Sequence, residues 1–331
     1  MSWTPTAISD LLQKTPISYY ITAFLPDQTA FAQAGLVSPQ FSDLVMQGGS
    51  SVEMRRFIAD ANRAEIDDGS ASEGNKLSSY KDIGIVARRK RVRPYNMQTI
   101  AAMGGDIVAG EIQGQAPYFW GREIDYGLQS ILTAAFDLSA GVLRTTHLND
   151  KAAASGTPIT ANLNIVIDTA KKHGDMMSEI TSLICHSYVW ADLKKESAAK
   201  ETGSLLVGNG SLRNVGTYYG YNVYVSDRVP TSGSSTFKKY WSFLVRPNAF
   251  GLMWQKEIQT LSSYNAEKNS VTITQWGAYA PHLFGVKWTG TPASADGGPT
   301  DAELATGTNW AKIANDNKEI GVVAFTSNAT V

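Results

Sequence analysis

Between positions 117 and 139 the apolar residues Ile124, Leu128, Ile131, Leu132 and Ala135 recur at i, i+4, i+7, i+8 and i+11. That period puts them on one face of a helix, and Pro117 suits a first turn because it has no N–H to leave unpaired. The spacing predicts a helix over about 117–139. Upstream, Val52, Met54, Phe57 and Ile58 form one apolar run, and Ile83, Ile85, Val86 and Val92 form a second. Between them lies a Gly- and Ser-rich stretch from Asp67-Asp68-Gly69 to Asn75, a turn signal. Residues 51–95 therefore read as a long hairpin.

Downstream, 157–250 alternates between the two periods. Leu163, Val166, Ile167 and Ala170 share a helix face, with Thr160 as the expected N-cap and Gly174 as the stop. Ile180 to Cys185 reads as a buried strand. Ser187 is the expected cap of a helix carrying Val189, Trp190 and Leu193. Tyr218 to Val225 reads as strands around Gly220, and Trp241 to Val245 as another strand. This alternation predicts a small α/β unit. Extended structure is expected again through Val271, Ile273 and Trp276, then Leu283, Phe284, Val286 and Trp288. Residues 291–300 read as a linker, Leu304 to Ile313 as a short helix, and Ile320 to Phe325 as a final strand.

The first 50 residues scatter Ile8, Leu11, Leu12, Tyr19, Tyr20, Ile21, Phe24 and Leu25 among Pro5, Pro16, Pro26 and Pro39, an arm and not a domain. Prolines lower the entropy such an arm loses on docking. An arm, a hairpin and a tail of this size exceed what one small core covers, which points to surface supplied by other copies of the chain.

Composition narrows the partners. Charged residues make up 18% of the chain, below the usual quarter, which suits a surface covered by neighbours. Net charge is −1, whereas a protein coating nucleic acid through stoichiometric phosphate contacts is strongly basic. Cys185 is the only cysteine, so no intrachain disulfide or cysteine metal site is available. No apolar run approaches the ~18 residues of a membrane span, and no secretory signal opens the chain.

Catalytic chemistry finds little support. His147, His173, His186 and His282 lie far apart, match no metal-binding spacing, and read as ordinary surface or helix-end histidines. His173, next to Gly174, would suit a helix C-terminus. Cys185-His186 is the one nucleophile–base pair, but neighbours on a strand point to opposite faces. Gly203 to Gly210 lacks the Lys-Ser/Thr ending of a phosphate loop. No catalytic, metal or cofactor-binding residue is expected.

Arg88-Arg89-Lys90-Arg91-Val92-Arg93 is the strongest electrostatic feature. It can contact nucleic acid, remain a solvated or targeting segment, or pair with acidic surface on a neighbour. Its own hairpin carries Glu65, Asp67, Asp68 and Glu73. Local compensation by these carboxylates is one option; inter-subunit pairing is favoured, with Arg88, Arg89, Lys90, Arg91, Arg93, Glu65, Asp67 and Asp68 as the candidate contact residues.

Four phrases, in this order, carry a resemblance: IGIVARRKRVRPYNMQTIAAMGGD, PYFWGREIDYGLQSILTAAFDLSAGVL, ITANLNIVIDTAKKHGDMMSEITSLICHSYVWADLKKE and YYGYNVYVSDRVP. With Gly174-Asp175, His186-Ser187, Gly220 and Asp227 as its marks, the chain resembles the major capsid proteins of tailed bacteriophages, the Hong Kong 97-type shell fold. The resemblance implies an α+β fold of six parts. These are an N-terminal arm (1–50), an extended loop reaching over a neighbour (51–95), and a peripheral domain (96–156) with its spine helix. An axial domain (157–250), a return to the peripheral domain (251–290) and a C-terminal extension (291–331) follow.

It also implies self-assembly into hexamers and pentamers forming the icosahedral head of the virion, built in the host cytoplasm around double-stranded DNA held without sequence specificity. The short segment before the hairpin points to a separate scaffolding protein and little trimming. A portal and a decoration or cement protein are further implied partners, and no membrane is. The alternatives are an encapsulin-like cellular shell and a soluble α/β enzyme.

Overall fold

The computed structural model describes residues 30–38, 50–57, 79–98, 115–195, 199–200, 213–233, 237–294 and 296–329. In chain order, Ala30–Gln33 (α1) and Val37–Ser38 (β1) precede a hairpin of Ser51–Phe57 (β2) and Ser79–Ile85 (β3). Ala87–Asn96 (β4) leads to the long helix Ala116–Ala135 (α2), then Leu148–Asp150 (β5) and Leu163–Ala170 (α3). Ser182–Cys185 (β6), Ser187–Lys194 (α4), Ala199–Lys200 (β7), Arg213–Tyr218 (β8) and Tyr221–Val225 (β9) follow. Next come Thr231–Ser232 (β10), Lys239–Val245 (β11) and two long strands, Phe250–Asn265 (β12) and Ser270–Leu283 (β13). Val286–Trp288 (β14), Asp301–Leu304 (α5), Trp310–Lys312 (β15) and Val322–Asn328 (β16) complete the described elements.

Two sheets organise the molecule. The smaller has the order β1-β12-β13-β4, with β13 antiparallel to both β12 and β4. Its residues alternate: Val271, Ile273 and Gln275 are buried, while Thr272, Thr274 and Trp276 between them are partly exposed. Helix α2 covers the buried face. Trp120 Nε1 donates to Gln275 Oε1 at 3.2 Å and the Tyr279 hydroxyl to the Glu123 carbonyl at 3.3 Å. Gly127 brings the helix close, since a Cβ there would stand 3.3 Å from Pro281.

The larger sheet runs β5-β16-β11-β6-β9-β8-β7, with β10 on β11. Both faces are covered, so its central strands read as continuous apolar runs. Side-chain alternation sorts them into two cores. Ile184, Phe243, Val245, Val322 and Ala324 join the cluster around α2. Leu183, Cys185, Leu244, Val323 and Phe325 join the cluster under α3 and α4.

Several expectations change. The helix predicted to reach 139 ends at Ala135, because the Asp137 carboxylate accepts the Ser139 and Ala140 N–H groups and turns the chain. Asn162, not Thr160, caps α3 by accepting from Ile165 N at 3.0 Å. His186, not Ser187, caps α4, its Nδ1 accepting from Tyr188 N at 3.2 Å. The expected helix at 304–313 is instead the short α5, closed by a Thr300/Glu303 capping box, and then β15. Trp310 turns it into a strand: its indole N–H donates to the Leu304 carbonyl and its ring meets Trp288 edge-on at 5.2 Å.

The segment 291–331 is no free extension. All of β16 is buried, paired antiparallel with β11 and parallel with β5, because its run VVAFTSN has apolar partners on both faces. The return of the hairpin also divides at Val86: β3 pairs with β2, while β4, with Val92, leaves for the other sheet.

Candidate functional site

The basic run forms β4, the edge of the small sheet among the described residues, and alternation sends its cations to two faces. Arg89 and Arg91 point to the α2 side. Arg89 donates to the Pro299 carbonyl at 2.9 Å and to Asp301 Oδ1 at 2.6 Å, and its Nε stands 3.6 Å from Glu123 Oε1. Burial, then the nearby Asp301 charge, raises the Glu123 carboxyl above its ordinary range, with Arg89 and Arg122 opposing. Arg91 is buried, its guanidinium 4.6 Å from the Phe119 ring centre and donating to Gln275 Oε1 at 3.3 Å.

On the other face, Arg88 donates to the Asp296 carbonyl and to Gln255 Oε1, and its own N–H donates to the Gly297 carbonyl. Lys90 is exposed on this face, and Arg93, also exposed, alternates to the side of Arg89 and Arg91. The structure therefore engages Arg88, Arg89 and Arg91 with their own chain, holding 296–301 and α2 against β4. Glu65, Asp67 and Asp68 lie outside the described residues.

A shallow groove of about 620 Å³ opens on the face away from α2, lined by Arg88, Lys90, Gln255, Lys256 and Trp276 and by no carboxylate. The Lys256 ammonium sits 6.0 Å from the Trp276 ring centre. The same face continues in a row Val92, Thr274, Leu261 across three strands. Val92 is 48% exposed and Leu261 41%, a cation-bordered apolar surface on a strand hairpin.

No arrangement among the described residues performs catalysis. Cys185 is fully buried, and burial pushes its thiol far above the ordinary range. Ser187 Oγ and Asp227 Oδ1 both approach the same ring nitrogen of His186, at 3.3 and 3.6 Å, whereas a relay needs both nitrogens. No metal-holding group of three His, Cys, Asp or Glu side chains occurs among the described residues.

The histidines expected at the surface or at helix ends are all buried. His282 Nε2 donates to Asp82 Oδ1 at 2.7 Å with both side chains fully buried, and Asp82 Oδ2 accepts the Gly285 N–H at 3.1 Å. This pair ties the root of the hairpin to the body, and no local signal marks residues so distant in sequence. His147 is wedged between Thr146 and the Asn317 carbonyl, and burial lowers it to about 4. His173 sits ahead of the Gly174 kink, φ +61°, and burial lowers it as well.

Comparison with known proteins gives these features a context. The profile of the Gp13-like family, major capsid protein 13-like, matches residues 62–323. The major capsid protein of Bacillus phage SPP1 is 26% identical over 330 residues, covering 97% of each chain. Among solved structures, the capsid of Ralstonia phage GP4 is similar with a TM-score of 0.58 at 9% identity, covering 92% of each chain. The Cyanophage Pam1 capsid gives 0.53 at 13% identity, covering 91% of this chain and 92% of that one. The fold is the α+β Hong Kong 97-type capsid fold. The chain belongs to the Gp13-like family of phage major capsid proteins, structural components of the virion shell and not enzymes.

Proposed function

We propose that the chain self-assembles into hexamers and pentamers that close an icosahedral head around double-stranded DNA. The observation that supports this reading is a sheet face with no cover among the described residues, where Val92 and Leu261 stand exposed in a row beside Lys90, a surface suited to a neighbouring copy. Many modest contacts of this kind, repeated by symmetry, make a stable lattice through avidity.

Within that lattice Lys90 and Arg93 pair with acidic groups of a neighbour, with Glu65, Asp67 and Asp68 of its extended loop as the partners. Arg88, Arg89 and Arg91 serve the same contact from within, by fixing the strand. The domain plan is an arm, an extended loop, a peripheral domain around α2 and an axial domain around the larger sheet. Assembly takes place in the host cytoplasm with a separate scaffolding protein and a portal, and a decoration protein is a further partner.

Electron microscopy of the purified chain, expressed alone and with the scaffolding gene, tests this. Closed shells, tubes or hexamer sheets are expected, and a Lys90→Ala/Arg93→Ala variant should form particles that fall apart at lower salt. A uniform monomer with scaffolding present would overturn the assembly reading. Variant particles of unchanged salt resistance would overturn the role of the two cations.

A further inference from the structure

Helix α2 carries a second cationic feature, distinct from the basic run. Tyr118, Arg122 and Tyr126 recur at i, i+4 and i+8 on its solvent side, and Ser130 and Thr133 continue the stripe. All five are partly exposed, while Trp120, Ile124, Leu128 and Ile131 are buried beneath them. The Arg122 guanidinium lies 5.5 Å from the Tyr118 ring centre and 5.8 Å from that of Tyr126. The Arg228 guanidinium, from the turn after β9, lies 4.0 Å from the Tyr126 ring centre.

No salt bridge of Arg122 or Arg228 occurs among the described residues, and Glu123, at the margin of the stripe, is engaged by Arg89. The two guanidiniums thus lie beside tyrosine rings with no salt bridge of their own among the described residues, the nearest carboxylate acting on Arg122 being that of Glu123, already engaged by Arg89. Arg88, Arg89 and Arg91 of the basic run differ: their donors already meet carbonyls and side chains of their own chain.

We propose that this stripe is the surface that meets the phosphodiester backbone of the packaged nucleic acid. The inference rests on the reading of the chain as the wall of a nucleic-acid container. A stacked guanidinium presents its N–H edge outward, and that fork matches a phosphate in a bidentate pair. The hydroxyls of Tyr118, Tyr126 and Ser130 add neutral donors, which position a backbone without reading bases. The stripe itself carries no carboxylate to repel phosphate. It also lies on the opposite side of the helix–sheet layer from the Lys90 groove, so nucleic acid on the helix side and a neighbour on the sheet side do not compete.

The test is the salt dependence of binding between the purified unassembled chain and a labelled random-sequence DNA duplex. Each phosphate contact contributes about 0.9 to the slope of log affinity against log salt, so Arg122→Gln/Arg228→Gln should lower the slope by about 1.8. Lys151→Gln/Lys268→Gln, at exposed cations outside the stripe, should leave it unchanged. An unchanged slope in the arginine variant, a loss confined to the lysine variant, or no salt-dependent binding by the parent chain each overturns the proposal. Micrographs of the same proteins after assembly separate the two levels. Normal shells with an unchanged slope sink the stripe alone, and failure of the parent chain to form shells sinks the container reading.

Discussion

Replacing Asp82 by alanine should free the root of the hairpin while leaving the larger sheet intact. Asp82 lies on β3, and its two oxygens take the His282 Nε2–H at 2.7 Å and the Gly285 N–H at 3.1 Å. Both partners belong to the end of β13 and the turn after it. Around the pair pack Val86, Met253, Ala280 and Phe284, with the Phe284 ring 5.9 Å from His282. Both side chains are fully buried, so bulk solvent does not stand in for the lost carboxylate. Removing one partner of a buried pair costs about 3–5 kcal/mol, mostly because the other is left buried and unpaired. The orphaned Gly285 N–H belongs within that range and is not an addition to it. A value of about 4 kcal/mol corresponds to roughly a thousandfold in an opening equilibrium. Hydrogen exchange on the unassembled chain reads it directly: amides of β2 and β3 should lose about a thousandfold in protection, and those of β11 and β16 should keep theirs. Asp82→Asn preserves shape and one acceptor, and should cost about half as much. Equal loss of protection in β3 and β11, or a loss in β3 below about tenfold, would refute the argument that the pair fastens the hairpin locally.

Four further outcomes follow from buried groups. His147 is held neutral by burial at about 4 against an ordinary 6.5, so its contribution is complete above 6.5 and is lost as pH falls toward 4. The loss should reach roughly 3 kcal/mol in denaturant titrations of the unassembled chain, and a His147→Asn variant that keeps the parent's pH profile would contradict it. Cys185, fully buried with its thiol pushed up, should react with a thiol reagent only as fast as the chain unfolds, and rapid labelling of the native chain would exclude this. Gly285→Ala should lower the melting temperature, because φ is +89° there and a Cβ would stand 2.7 Å from Ile320; the cost is about 2–3 kcal/mol, and an unchanged melting curve would rule it out. Asn328→Ala should cost about 3 kcal/mol, since the buried amide accepts from Ala153 N and Ile159 N and donates to the Ala153 and Lys238 carbonyls; equilibrium unfolding measures it, and a loss under about 1 kcal/mol would speak against it.

What the sequence made legible were elements whose burial is set within a few residues. Ile124, Leu128, Ile131 and Leu132 announce α2 because one partner surface covers one helix face. The tyrosine-flanked Gly220 announces the β8–β9 turn because that position has φ +88°. The role of the basic run was not legible. Five cations in six residues read as a contact for a neighbour, yet Arg91 is buried and Arg89 nearly so. Their long stems lie along α2 while their heads reach Gln275 and Asp301, residues far downstream in the chain. The same distance hid the Asp82–His282 pair. It also hid β16, whose apolar run reads equally well as a tail strand or as the middle of a sheet until β11 and β5 flank it.

That late strand decides more than topology. β16 supplies β11 with an antiparallel partner along the whole of Lys239–Val245 and gives β5 its only pairing among the described residues. Its alternating side chains enter both cores at once, Val322 and Ala324 on the α2 side, Val323 and Phe325 under α3 and α4. Neither core is closed while this strand is out, and the pairing is long-range, so loop-closure entropy is lost before either cluster repays it. One docking event therefore makes the helix–sheet layer and the α/β unit rigid together. For a shell subunit that coupling has a use. A chain lacking β16 exposes the unpaired edge of β11 and two open apolar faces, features that pair promiscuously. Pairing of β16 covers that edge and both faces with one strand, which joins the helix–sheet layer to the α/β unit.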